Sequence, residues 1–360
     1  MSAFSRAIDV LRSGVAARVF PGASVEVGTA ASVAWREQIG SLAYEPDALR
    51  VSADTVFDLA SLTKVVVTAT AAMRLVEHGV LALDAPVSEY EPRCRAGHLS
   101  AVTVRDLLEH ASGLPAWAPL FRSQEDRQSM LSAVMTAPLE YAPRSQSIYS
   151  DLGFILLGHL LETIAGRTLD VQLEEMAARW MAAGAAVLPL VFNPPASWRP
   201  RIAPTRFNEW RDRLLVGEVD DDNAWAMRGV AGHSGLFGTA AAVGVFARGI
   251  LRVLSGDREA ERRFATRKTV GLFLARSTVP GSSRALGWDR MRTTSSCGSK
   301  MSAAAFGHTG FTGTSLWIDP EQDLYVALLT NRVHPEAGPN EPMQDVRRAF
   351  HDALVEGREA

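Results

Sequence analysis

Apolar residues recur at intervals of three and four through Phe4, Ile8, Leu11, Val15 and Val19, which predicts a helix over residues 2–18 closed by the Phe20-Pro21-Gly22 break. The period then changes to two. Residues 23–27 and 31–35, joined around Gly28, predict a hairpin, and a third extended piece is expected near 39–42. From Ser61 the helical period returns through Leu62, Val65, Val66, Ala69, Met73 and Val76, with Gly79 at the position that follows a helix C-terminus. Further helices are predicted at about 103–111, 128–136, 151–165, 169–183 and 240–254. Between them, Pro189, Pro194, Pro195, Pro200 and Pro204 mark an irregular covering segment. Strand signals resume at 285–288, 314–318 and 324–330, the last two separated by the turn Asp319-Pro320-Glu321-Gln322-Asp323, and a helix over about 341–355 closes the chain.

Strands near both ends with helices between them predict an α/β (α+β) fold: an antiparallel sheet flanked by terminal helices, plus an inserted helical lobe. The expected division is 1–60 with 255–360 for the sheet lobe and 61–254 for the helical lobe, with the active site in the cleft between them. The 360 residues and 47% hydrophobic content suffice for a large core. A formal charge of −3 supplies no long-range field for nucleic acid or anionic lipid. Arg6, Asp9 and Arg12 interrupt any apolar leader, and no later apolar run reaches the length of a membrane span, so the cytoplasm is the expected location. Cys94 and Cys297 alone suggest neither a disulfide framework nor a metal site. A monomer or homodimer is expected.

Of the 37 basic residues only Lys64, Lys268 and Lys300 are lysine. Arginine does not lose its proton near neutrality whereas a desolvated lysine can, so each retained lysine is a candidate for proton chemistry. Lys64 lies in Phe57-Asp58-Leu59-Ala60-Ser61-Leu62-Thr63-Lys64, where an extended segment gives way to a helix. Spacing of three puts Lys64 on the face of Ser61. The positive end of the helix would stabilise an alkoxide and lower the lysine pKa, so an amine could serve as base for a hydroxyl.

A bare Ser-x-x-Lys would arise by chance in roughly one chain in five of this composition, so it needs partners. Tyr149-Ser150-Asp151 supplies a phenol able to pass a proton to a leaving group, with Asp151 placed as N-cap of the next helix or as a substrate contact. Gly307-His308-Thr309-Gly310-Phe311-Thr312-Gly313-Thr314 opens a strand of small residues that a substrate can approach closely, offering the Phe311 N–H, with that of Ser61, as an oxyanion hole.

These three segments, in this order and at these separations, resemble the three signatures of the penicillin-recognising serine hydrolases, which include class C β-lactamases, low-molecular-weight D-Ala-D-Ala carboxypeptidases and related esterases. The phrases at 104–115, 229–237 and 329–332 match the same family, so the resemblance spans roughly residues 20–335. It implies the two-lobe fold, an acyl-enzyme on Ser61, Lys64 as base or proton relay, and Tyr149 as proton donor to the leaving atom. Asp151, His308, Thr309, Gly310 and Phe311 become the expected substrate contacts.

Two departures bear on the substrate. The family's usual Tyr-x-Asn is Tyr-Ser-Asp, so an amide that binds a carbonyl is replaced by a carboxylate, which only accepts when ionised. His308 stands where Lys-Thr-Gly is usual, exchanging an ammonium for an imidazole largely neutral at pH 7, which should weaken the anchoring of a substrate carboxylate. Phe311 also crowds the strand where many relatives carry a small residue. Together these favour a small ester or a specialised amide or peptide over a β-lactam. β-Lactamase, D-Ala-D-Ala carboxypeptidase or D-aminopeptidase activity is the alternative. No cofactor or metal is called for.

Three rivals have weaker support. Gly232-His233-Ser234-Gly235-Leu236 misses the Gly-x-Ser-x-Gly elbow of an α/β-hydrolase at its last position. The eight histidines show no metal-ligand spacing, so His110 and His233 are expected to be structural, and Asp220-Asp221-Asp222 reads as a solvated acidic loop. A non-catalytic binder of the same fold remains a different-class alternative, distinguished by an acyl-enzyme that never turns over.

Overall fold

A computed structural model describes residues 4–124, 126–180 and 187–359. Its centre is a six-stranded antiparallel sheet, in the spatial order Val33–Gly40, Gly22–Gly28, Leu324–Thr330, Ser315–Asp319, Phe306–Thr309 and Asp289–Arg290. The N-terminal hairpin therefore pairs directly with the last strand, with Val25 opposite Leu328. Both faces of the strand Leu324–Thr330 are covered, and its side chains alternate between two cores. Leu324, Val326 and Leu328 pack with Ala7, Leu11, Phe350 and Leu354 of the terminal helices Ser5–Ala16 and Glu341–Glu359. Tyr325, Ala327 and Leu329 belong to the larger core shared with the helical lobe.

The helix Asp151–Ala165 is apolar all round, with Leu152, Phe154, Ile155, Leu156, Leu157, Leu160 and Leu161 buried, as befits the axis of the helical lobe. It ends at Gly166 in the left-handed region. Among the described residues no single helix is long and apolar enough to cross a membrane; this helix and Leu169–Trp180 satisfy that test only as a pair bent by 74°.

Several expectations are corrected. The extended piece at 39–42 is the end of the strand Val33–Gly40, followed by an isolated bridge from Ser41 to Arg50. Residues 285–288 form no strand: Gly287 has a positive φ, and its neighbours make a turn whose bridge joins Arg284 to Asp289. The helix predicted over 169–183 is present as Leu169–Trp180, its last predicted residues lying outside the described ones. Short helices at Asp222–Ala226, Arg258–Arg263 and Arg267–Leu274 have too few turns to carry a readable period. The division at 254/255 assigns Ala240–Leu254 to the helical lobe, whereas it lies against the sheet. A Cβ on Gly244 would sit 1.8 Å from Glu26 Oε1 and 3.2 Å from the Tyr325 ring.

Candidate active site

The turn that carries Ser61 is held by backbone pairing of the residues just before it. Phe57–Asp58 pairs with Leu236–Gly238, and Ala60 then adopts φ +47 before Ser61 enters the first turn. Asp58 holds this turn, its two oxygens accepting from Ala60 N (2.8 Å) and Asp220 N (2.6 Å). Burial and the neighbouring Asp220 charge push its pKa up to about 7. The helix entered at Ser61 widens to π spacing over Lys64–Ala69 before continuing as Thr70–Glu77, a local irregularity common at functional sites.

Lys64 is fully buried, and its Nζ lies 3.0 Å from Ser61 Oγ, 2.9 Å from the His233 carbonyl and 2.7 Å from Asp151 Oδ1. Tyr149 lies beside both, with Lys64 Nζ 4.9 Å from the centre of its ring. Three acceptors thus surround an amine that, charged, has three hydrogens. The expected lowering of the Lys64 pKa is overturned. Burial opposes its charge, yet the Asp151 carboxylate and Tyr149 outweigh that cost and hold its pKa up. Burial raises the Tyr149 phenol, against the pull of the Lys64 charge. At rest the pair is an ammonium and a neutral phenol.

Asp151 is not the helix N-cap. Ser150 is, its Oγ accepting from Gly153 N at 3.1 Å and donating to the Pro115 carbonyl at 2.6 Å, which leaves Asp151 free to reach Lys64. The segment is steadied by His110, whose Nδ1 accepts from Ser150 N at 3.0 Å while its ring packs 4.5 Å from Tyr149 and 4.8 Å from Phe154. His110 and His233 are structural in this sense, the latter pairing with Asp221 at 2.8 Å while its carbonyl holds Lys64.

The acidic loop is not solvated as expected. Asp220 is buried, Asp221 is held down to about 2 because the His233 pair outweighs burial, and Asp222 pairs with Arg211 at 2.6 Å. Among the described residues no cluster of metal-ligating side chains occurs.

The strand Phe306–Thr309 closes the opposite wall. Thr314 Oγ1 donates to the Leu59 carbonyl (3.0 Å) and Thr312 Oγ1 to the Asp58 carbonyl (2.7 Å), tying the strand end to the turn that carries Ser61. Only glycine fits at 310, where a Cβ would meet Thr314 Oγ1 at 2.1 Å and the Leu59 carbonyl at 2.6 Å. The N–H groups of Ser61 and Phe311 have no acceptor among the described residues, as an oxyanion hole requires. Phe311 is half exposed, with the Arg332 guanidinium 5.0 Å from its ring centre.

His308 is buried beside Tyr149, ring centres 5.8 Å apart; its Nδ1–H donates to the Thr309 carbonyl at 2.8 Å, so Nε2 is a bare acceptor. Burial and the Arg284 and Lys64 charges keep the ring neutral. A cavity of about 610 Å³ collects Ser61, Tyr149, Asp151, His308, Thr309, Gly310 and Phe311. Arg284, Asp289, Trp117 and Arg347 also line it, and sequence reasoning missed them because none lies within a motif. Ser234 lines it too, but the strand Leu236–Gly238 follows this serine rather than feeding it from a parallel array, which removes the α/β-hydrolase reading.

A hydroxyl hydrogen-bonded to an amine, with a phenol alongside and two free backbone donors, is the arrangement of a serine hydrolase. The sequence model of the Beta-lactamase family matches residues 7–349, and the chain belongs to that family. It is 33% identical to the N-acetylmuramyl-L-alanine amidase of Bacillus subtilis (strain 168) over 93% of this chain and 83% of that protein. In fold it is similar to EstCE1, described as a hydrolase with promiscuous acyltransferase activity, with TM-score 0.76, 20% identity and 98% of each chain covered. A penicillin-binding protein homologue from Caulobacter crescentus gives TM-score 0.74 at 20% identity, again with 98% of each chain covered.

Proposed function

We propose that this serine hydrolase cleaves small esters, in preference to β-lactams, through an acyl-enzyme on Ser61. The observation that carries the reading is Lys64 Nζ 3.0 Å from Ser61 Oγ, with Tyr149 beside them in the same cleft. The resting ammonium has no free lone pair, so the reactive form holds one proton fewer across the Lys64–Tyr149 pair. That form takes the Ser61 proton as Oγ attacks the carbonyl carbon. Developing charge on the carbonyl oxygen is met by the N–H groups of Ser61 and Phe311. Tyr149 then returns the proton to the departing oxygen or nitrogen. A water, activated by the same pair, attacks the ester to Ser61 and releases the acid.

Two features weigh against lactams. Asp151 is occupied by Lys64 and has no amide N–H to offer a substrate carbonyl, and His308 presents an acceptor where a permanent ammonium is usual in the family. The second reading is amide cleavage, favoured by the amidase named among the relatives.

Product release and intact mass, followed separately with a short p-nitrophenyl ester, penicillin and a D-Ala-D-Ala peptide, test the order of preference. Rapid ester turnover through a transient adduct with slow lactam turnover is expected. Faster turnover of lactam or peptide overturns the substrate assignment, and an adduct that never turns over converts the protein into a binder.

A further inference from the structure

The two backbone donors available to a developing oxyanion, Ser61 N–H and Phe311 N–H, come from distant segments of the chain, and their separation has to be fixed by what joins those segments. Asp58 is bonded to both. Its Oδ1 accepts from Ala60 N at 2.8 Å, one residue before Ser61, and its main-chain carbonyl accepts from the Thr312 hydroxyl at 2.7 Å, one residue after Phe311. Its Oδ2 accepts from Asp220 N at 2.6 Å, in the loop whose Asp220, Asp221 and Asp222 line the cleft. Asp58 itself is buried, does not line the cleft, and stands opposite Phe237 on the neighbouring strand.

Burying a carboxyl is costly, and packing alone would be served by an apolar side chain. What the carboxylate adds is a pair of acceptors aimed at two N–H donors. An asparagine could satisfy only one of them, because its NH2 would meet the other N–H head-on. The bond to Ala60 restrains the least comfortable residue of the turn: Ala60 is held at φ +47, in the left-handed region that a residue with a Cβ enters reluctantly. Relaxing that angle swings the next peptide group, which carries the Ser61 N–H. The charged groups that face Asp58 are Asp220, paired with Arg206 at 3.1 Å, and Asp221, paired with His233 at 2.8 Å; Phe237 from the paired strand and Thr312 from the strand end are uncharged. Burial first, and then these carboxylates, push the Asp58 pKa up to about 7. Above that pH both oxygens accept, and below it the added hydrogen sits among donors.

Resting on the acyl-enzyme reading above, we propose that Asp58 is a positioning residue for the oxyanion hole: its carboxylate and its carbonyl together set the separation of the Ser61 and Phe311 N–H groups. It acts through the backbone and touches no substrate. Attack on the substrate and attack of water on the acyl-enzyme both pass through an oxyanion, so a misplaced donor slows both steps and the loss falls on kcat rather than on KM.

Hydrolysis of a p-nitrophenyl ester by the full chain and by Asp58→Asn, Thr312→Val and Thr312→Ser tests this, with reactive sites counted by exhaustive fluorophosphonate labelling of Ser61 and folding followed by thermal melting. Asp58→Asn is expected to lose roughly tenfold to a hundredfold in kcat per labelled site with KM within about twofold, the order of cost for a displaced group. It should also lose a rise in kcat near pH 7 that the wild type shows, while the rise linked to Lys64 at higher pH remains. Thr312→Val, which removes the bond to the Asp58 carbonyl, should lose kcat in the same way, and Thr312→Ser, which keeps the hydroxyl, should not. Undiminished kcat per labelled site in Asp58→Asn, a loss that appears only as fewer labelled sites, or a rise near pH 7 that survives the substitution overturns the proposal while acylation of Ser61 stands. Should Asp58→Asn fail to fold, undiminished kcat per site in Thr312→Val overturns it instead. A wild type that neither reagent acylates or labels at Ser61 overturns the acyl-enzyme reading itself.

Discussion

At the scale of single residues, the proposed mechanism makes the proton inventory around Lys64 govern when the enzyme works. The Asp151 carboxylate at 2.7 Å and Tyr149 hold the Lys64 pKa up despite complete burial. Attack needs the form with one proton fewer, so kcat/KM for an ester is expected to rise with pH through this ionisation. Replacing Asp151 by Asn removes the charge that favours the ammonium, which lowers the Lys64 pKa and moves the rise to lower pH. A pH profile of the Asp151→Asn enzyme that stays in place, or moves to higher pH, would sink this account. Ser61, Lys64 and Tyr149 were legible in the sequence because a spacing of three on one helix and a short local motif need no tertiary knowledge. The role of Asp151 was not: N-cap and first helical residue differ by one position, and only the Ser150 hydroxyl bond to Gly153 N decides between them. Arg284 carried no signal at all, since it lines the cavity from outside every motif.

At the scale of elements, the decisive junction is where the strand Phe306–Thr309 ends against the turn Asp58–Ser61. Gly310 is the point of closest approach, and Thr312 and Thr314 pin the two segments together. A methyl group here must displace Thr314 or the Leu59 carbonyl. Gly310→Ala is therefore expected to shift the Phe311 N–H away from the oxyanion position. Misplacement on the order of 1 Å costs about 10²-fold in rate, while overpacking at one site costs about 1–3 kcal/mol in stability. Steady-state ester hydrolysis beside thermal melting separates the two effects; unchanged kcat in a folded Gly310→Ala enzyme would remove the junction from the mechanism. The glycine-rich pattern made this strand readable as a place of close approach. The three short helices and the turn at 285–288 were unreadable because segments of four to eight residues hold too little periodicity to separate helix, strand and turn.

At the scale of the whole molecule, the site is where distant stretches of chain are stitched together. Leu59 N donates to the Leu236 carbonyl, Lys64 to His233, and Asp220 N to Asp58, while the terminal helices and the helix Ala240–Leu254 clamp the two faces of the sheet that carries the opposite wall. The alternation of strands and helices disclosed an α/β fold with an inserted lobe. It did not place Ala240–Leu254, because an amphipathic stripe says that a face is buried and not which neighbour buries it. All these connections converge on one claim, that the covalent intermediate forms on Ser61. The most direct measurement quenches the wild-type protein in acid within milliseconds of mixing with a p-nitrophenyl ester, then locates the added acyl mass by peptide mapping, with Ser61→Ala treated in parallel. The account requires the acyl group on the peptide that contains Ser61, and neither adduct nor turnover in a folded Ser61→Ala protein. An adduct on Ser234, or hydrolysis that continues undiminished without the Ser61 hydroxyl, would contradict it.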